Sequence, residues 1–220
     1  MIWESFKLSA LVVSIATLII AVLGLALGLL FAKARFHGRE LLASFFTMPL
    51  VLPPTVTGFY LIVLFGRHGL IGEPIYKLTG WTVTFTWQAA VVAAVVLALP
   101  LMVLSSRAAI ESVNPQYEVA SYTLGKTRLA TFLLITLPLA RRGILAGIVL
   151  SFTRALGEFG ATFMLAGNIV GKTQTMPLAI YEAVISGDNK QAQALALILT
   201  GVSVAAVYFT TKLTKGALRY

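Results

Sequence analysis

Long uncharged apolar stretches alternate with short basic segments along this chain. Residues 8–32, 41–66 and 78–106 contain no charged side chain, and each exceeds the roughly 20 residues a helix needs to cross a bilayer. A fourth such stretch covers 191–211, and a weaker fifth covers 143–167, interrupted by Arg154 and Glu158. Backbone polar groups in lipid must be paired within their own segment, so these stretches predict helices. The pattern predicts an all-α integral membrane protein with about five spans, forming a single membrane domain over 1–220.

Composition agrees: of 220 residues, 58% are hydrophobic and 11% charged, too apolar for an ordinary soluble domain. The first stretch is longer than the apolar core of about 7–15 residues in a cleavable signal peptide, so the first helix is expected to stay. No cysteine is present, which excludes disulfides and thiolate metal sites. His37 and His68 lie far apart in short loops and read as solvated.

Charge sets the orientation. With the amino terminus outside, segments 33–40, 107–142 and 212–220 are cytoplasmic, and they hold eleven of the seventeen Lys and Arg. Cytoplasmic enrichment in basic residues is what membrane insertion favours. The net charge of +9 therefore reports topology and contact with anionic lipid head groups rather than nucleic acid. Trp3, Trp81 and Trp87 then fall near the outer interface, where amphipathic rings are favoured.

Within the second cytoplasmic segment, Asn114-Pro115 is a helix start. The amide accepts from an orphan N–H, and proline in the first turn gives up a donor that had no partner. Glu118 suits the positive end of that helix, and Gly125 is placed to stop it in a left-handed cap. Val113, Tyr117, Ala120 and Leu124 recur at helical spacing and form one small apolar face. A second helix is expected from Lys126 to Pro138. Periodicity alone leaves open a connector lying on the membrane surface.

Polar residues interrupt two spans. Pro49, Pro53 and Pro54, followed by Thr55, Thr57 and Gly58, break the backbone ladder inside the second. Either the helix is kinked or this is a hinge lining a pore. In the fourth span, Arg154 and Glu158 share a helical face. Counted from Gly143, Arg154 lies about 16 Å along that helix, near the bilayer centre. Ionisable groups there are functional candidates, and a structural ion pair is the rival reading. Thr162 and Asn168 extend the polar line outward. Gly24 with Gly28, and Gly143 with Gly147 and Ser151, form small-residue stripes for close helix contact. Residues 167–189 read as a partly re-entrant gate region on the outer side. Residues 166–173 (AGNIVGKT) imitate a phosphate-binding loop, but no strand is expected before them and the charge pattern puts them away from ATP.

Glu118, Val119, Ala120, Gly125, Ile135, Leu137 and Pro138 resemble the EAA motif of bacterial ABC-importer permeases, with Val119 in place of the usual alanine. Residues 48–58 (MPLVLPPTVTG), 65–76 (FGRHGLIGEPIY) and 155–184 extend the resemblance over nearly the whole chain, to molybdate ABC transporter permeases. Sulfate/thiosulfate permeases are similar in the LGEFGA and AGN segments. The resemblance implies a type I importer permease, with loop 113–138 holding a coupling helix that docks on an ATPase through Tyr117, Glu118, Val119, Ala120, Gly125, Leu137 and Pro138. It also implies a homodimer, two cytoplasmic ATPase subunits that carry ATP-Mg, and an extracytoplasmic oxyanion-binding protein. No cofactor is expected on this chain. The expected pathway and gate are Pro53, Pro54, Thr55, Thr57, Arg154, Gly157, Glu158, Thr162 and Asn168. An intramembrane enzyme using Glu158 lacks a nucleophile–base pair, a metal cluster and a second carboxylate on the same face. A structural or sensory anchor leaves the capped loop helix without a purpose.

Overall fold

The computed structural model describes residues 2–215; Met1 and the end of the third basic segment, 216–220, lie outside them. Among the described residues every regular element is helical. Helix α1 (Ile2–Lys33) runs beside α5 (Trp87–Glu111) because glycines remove the side chains that would hold them apart. A Cβ on Gly24 would overlap Met102, and one on Gly28 would overlap Ser106. Ser106 Oγ donates to the Gly24 carbonyl at 3.0 Å. On its other side α5 packs α8 (Leu137–Leu156), where a Cβ on Gly147 would come within 2.8 Å of Ser105 Cβ. Close backbone approach of this kind holds membrane helices together when lipid offers no hydrophobic contrast. Both small-residue stripes therefore face α5. Its Ala89, Ala90, Ala93, Ala94, Leu97 and Ala98 are buried, and Leu18 and Val22 of α1 point outward.

Four helices are long and apolar enough to cross a membrane among the described residues: Ile2–Lys33, Trp87–Glu111, Arg128–Leu156 and Asn189–Phe209. The expected span at 41–66 is broken. Helix α2 (Arg39–Thr47) continues through a tight turn, Met48–Leu50, and α3 (Pro54–Phe65) leaves at 112° to it. Pro53 and Pro54 supply no N–H to continue the ladder, and Pro53 is extended, with ψ 137°.

Three boundaries differ from the sequence reading. The stretch 78–106 is not one span: Leu78 ends in α4 (Gly72–Thr79), and α5 begins only at Trp87, where the Thr86 hydroxyl accepts from Ala89 N–H. The helix expected from Lys126 to Pro138 does not stop there. It starts as α7 (Arg128–Thr131), passes through a π-helical segment, Phe132–Thr136, and continues as α8. Pro138 is tolerated because its usual acceptor lies in the widened π turn. Consequently Arg154 is not midway along its helix but in its last turn, about 39 Å from Arg128 at 1.5 Å per residue. The stretch 143–167 breaks at Gly157, and α9 (Gly160–Ala166) follows as a separate helix.

Helix α10 (Met176–Ile185) is too short to span, and α11 (Asn189–Lys215) closes the described chain. Two of the three basic segments gather at one end of the bundle, joined by Arg107 to Glu40 at 2.9 Å and Lys33 to Glu118 at 2.7 Å. At the other end the start of α1 is bound to the approach and first residue of α10: Ser5 Oγ donates to Gln174 at 3.3 Å, and Met176 N–H donates to Ser9 Oγ at 2.7 Å.

Candidate functional site

At the basic end, α6 (Pro115–Thr123) is built by local chemistry. Asn114 Oδ1 accepts from Gln116 N–H at 3.0 Å, and Pro115 opens the helix. Gly125 ends it with φ 76°, a left-handed conformation that costs a side-chain-bearing residue roughly 1–2 kcal/mol. The Ser121 and Thr131 hydroxyls, buried and 2.9 Å apart, then fold α7 back on α6.

The helix has two unlike sides. Val119, Leu124 and Tyr117 are 58%, 80% and 56% exposed, and Ala120 and Gly125 are exposed beside them. Val113, grouped with that face by spacing, is instead buried in the core. Glu118 turns the opposite way. It receives Lys33 Nζ at 2.7 Å and Thr136 Oγ1 at 2.6 Å, and its side chain is 12% exposed. Burial opposes its ionisation, but hydrogen bonds from Lys33 and Thr136, with the Lys33 charge, outweigh burial and hold the carboxyl below the usual carboxylate range. A groove of about 550 Å³ beside it is lined by Leu29, Tyr122, Arg128, Leu129 and Phe132. Leu137 and Pro138 lie past the π segment, at the start of α8.

The second region is where the two broken spans meet. A Cβ on Gly160 would come within 2.9 Å of Pro54 Cβ and 3.5 Å of Thr55 N, and one on Gly58 within 2.9 Å of Ala161 Cα. The break before α3 is thus pressed against the break before α9. Pro53, Pro54 and Thr55 are exposed there, and Thr57 is buried. Arg154 Nη1 donates to Glu158 Oε2 at 2.8 Å, while Ala161 N–H donates to Glu158 Oε1 at 2.8 Å. Glu158, one residue before the N-cap Phe159, therefore satisfies an N–H in the first turn of α9 as well as pairing with Arg154. Thr162 is buried one turn further on, and Gly157 is exposed at the break.

Asn168 does not join this group: its Nδ2 donates to Glu182 of α10 at 2.9 Å. The loop it sits in is fixed by Thr173, whose hydroxyl accepts from Ile169 N–H at 3.0 Å and donates to the Gly167 carbonyl at 3.2 Å. Phe85, at φ 60°, sends its N–H to the Leu165 carbonyl at 3.1 Å and ties the segment before α5 to α9. Residues 166–173 follow a helix rather than a strand, so the phosphate-loop resemblance has no matching context.

Residues 24–216 match the family model described as binding-protein-dependent transport system inner membrane component. The chain belongs to that family. It is accordingly a transport component and a multi-pass membrane protein, not an enzyme. A putative molybdenum transport system permease protein of Bacillus subtilis (strain 168) is 44% identical over 92% of this chain and 89% of its own length. The molybdenum transport system permease protein of Escherichia coli (strain K12) is 42% identical over 93% and 89%. The sulfate transport system permease protein of Escherichia coli (strain K12) is 35% identical over 93% and 73%. Among solved structures, a bacterial ABC transporter that imports alginate superposes with TM-score 0.76 at 15% identity, covering 97% of this chain and 79% of that one. The MetNI methionine ABC transporter superposes with TM-score 0.73 at 15% identity, covering 98% and 93%. The inner-membrane-component fold of these importers is therefore the fold of this chain.

Sequence reasoning missed Lys33 and Thr136 as partners of Glu118, and Gly160 as the contact point of the two breaks. Lys33 and Glu118 are 85 positions apart, and no local pattern links them. The G-x-x-G at 157–160, which contains the acidic member of the Arg154–Glu158 pair, was the available signal for Gly160.

Proposed function

We propose that this chain is the membrane-spanning subunit of an ATP-driven importer that carries molybdate, and its close analogue tungstate, into the cytoplasm. The observation that carries this reading is the graded identity: 44% and 42% to molybdenum permeases against 35% to a sulfate permease, all over nine-tenths of the chain. The basic end holding α6 is cytoplasmic, the amino terminus is outside, and the carboxyl terminus is cytoplasmic, as basic-residue enrichment requires.

The exposed apolar side of α6 docks on a cytoplasmic ATPase subunit that carries ATP-Mg. Two copies of this chain assemble with two such subunits, and an extracytoplasmic protein delivers the oxyanion. An alginate transporter of the same fold has been solved with a substrate-bound periplasmic protein. A tetrahedral dianion cannot cross hydrocarbon unpaired, so the path runs between the two copies past the juxtaposed breaks. Pro53, Pro54 and Gly157 flex there; Thr55, Thr57, Arg154, Glu158 and Thr162 lie near the path, with Thr57, Glu158 and Thr162 buried behind its surface, and Asn168 lies further out. ATP binding draws the two α6 helices together and opens the outer side.

The test is reconstitution in liposomes with the ATPase and the binding protein, comparing uptake of molybdate, tungstate and sulfate. ATP-dependent uptake of the first two, with sulfate excluded, is expected. Preferential sulfate uptake would make this a sulfate permease, and uptake of none would remove the oxyanion reading.

A further inference from the structure

We propose that Glu118 is a positioning residue that fastens the coupling helix to two membrane helices at once, so that one displacement of α6 reaches both ends of the outer region. The proposal rests on the importer reading above and adds how the motion is divided. Glu118 is turned away from the exposed docking side of its helix, being 12% exposed where Tyr117 and Val119 are 56% and 58% exposed. One carboxylate oxygen holds Lys33 at 2.7 Å and the other holds Thr136 at 2.6 Å.

Each partner stands at the end of a stiff rod. Lys33 is the last residue of α1, 32 residues long, or about 48 Å at 1.5 Å per residue. The far end of α1 holds the segment that leads into α10 through Ser5 to Gln174, and the first residue of α10 through Ser9 to Met176. Thr136 is the last residue of the π segment. From it α8 runs 20 residues, or about 30 Å, to the Arg154–Glu158 pair at the break. A single carboxylate thus joins α6 to the rod that grips the outer loop and to the rod that ends at the pathway. Ser121, whose hydroxyl contact is buried, reaches Thr131 of α7 instead.

The ion pair itself adds little stability, because Lys33 is 36% exposed and solvent screens such pairs. Its removal therefore leaves a folded protein in which transmission is measurable. Lys33→Met and Thr136→Val each cut one link, and Glu118→Gln weakens both. The variants are made in the complete importer in liposomes, and the chain has no cysteine, so Lys7→Cys alone provides a spin-label position at the outer end of α1. Three quantities are read: ATPase retained by tagged permease, ATP hydrolysed per oxyanion imported, and the ATP-driven change in label distance between the two copies.

The expected result is full ATPase retention in Lys33→Met and Thr136→Val, neither of which belongs to the docking set, a rise of about tenfold in ATP used per oxyanion, within the usual range of inter-site coupling, and loss of the distance change in Lys33→Met. Exchanging the charges, Lys33→Glu with Glu118→Lys, should restore most of that change. An unaltered distance change in Lys33→Met, with unaltered ATP use in both single-link variants, would overturn the proposal. Loss of ATPase retention in Lys33→Met would overturn it too, by making the pair a docking contact. If the unmodified importer moved no oxyanion, the substrate reading would fail alone, since the distance change needs only ATP.

Discussion

Arg154 and Glu158 are joined across the last turn of α8, Nη1 to Oε2 at 2.8 Å, and the second oxygen of the same carboxylate accepts from Ala161 N–H in the first turn of α9 at 2.8 Å. One buried side chain thereby fixes both sides of the break. Losing a side-chain acceptor at a helix start costs about 0.5–2 kcal/mol. Breaking a fully buried pair costs about 3–5 kcal/mol, and less here because Arg154 is 30% exposed.

Glu158→Gln keeps an acceptor for Ala161 and loses the charge, whereas Glu158→Ala loses both. Thermal melting in detergent, followed by size exclusion, should rank the unmodified protein above Glu158→Gln and Glu158→Gln above Glu158→Ala. Arg154→Gln should lower uptake more than folded yield. A parallel fall in the two would assign the pair to structure alone.

Gly58 and Gly160 set how closely α3 and α9 approach. The atom a Cβ on Gly58 would meet at 2.9 Å is Ala161 Cα, which belongs to the backbone and cannot swing aside. Gly58→Ala should therefore destabilise by about 1–3 kcal/mol, the usual cost of overpacking. Gly201, which has nothing within 4 Å of its Cβ position, is the control, and alanine there should leave the melting temperature unchanged or raised. Equal melting of both variants would show that the two helices separate freely.

What the sequence revealed and what it hid divide along a physical line. Asn114, Pro115 and Gly125 act through bonds a few residues long, so the limits of α6 were legible. The i,i+4 spacing of Arg154 and Glu158 likewise anticipated their pairing. The start of α5 was hidden because hydropathy does not separate an apolar loop at 80–86 from the helix that follows it. The depth of Arg154 was hidden because the π segment lets the helix run through Pro138, moving its origin back to Arg128. Glu118 looked like a surface residue of a docking helix, and its tie to Lys33 exists only once α1 and α6 meet.

Gly125 tests the proposed docking side of α6. Its φ of 76° is tolerated by Asn and Asp better than by other residues bearing a Cβ, and nothing lies within 4 Å of a Cβ there. Gly125→Asp should therefore insert and fold, yet abolish uptake by placing a carboxylate beside the exposed apolar side of α6. Gly125→Asn should keep substantial uptake, and Gly125→Val should lose folded protein. Normal growth on limiting oxyanion with Gly125→Asp would remove this residue from the docking surface.

The pH dependence of the Glu118 tie has a definite sign. Its carboxyl is partly buried, which resists ionisation, but Lys33 and Thr136 hold its folded pKa below the ordinary value. A carboxyl depressed on folding contributes stability that is fully present above its unfolded pKa and is lost as pH falls through the folded one. The tie should therefore be intact at neutral pH and weaken only in acid, below the ordinary carboxylate range. Hydrogen exchange of the α6 amides should rise there relative to those of α5, once corrected for intrinsic rates. Glu118→Gln removes the titrating group, so it should show faster exchange at neutral pH and no further acid-induced step from this site. An acid step of the same size in Glu118→Gln would place its origin in another carboxylate, such as Glu40 at the same end of the bundle.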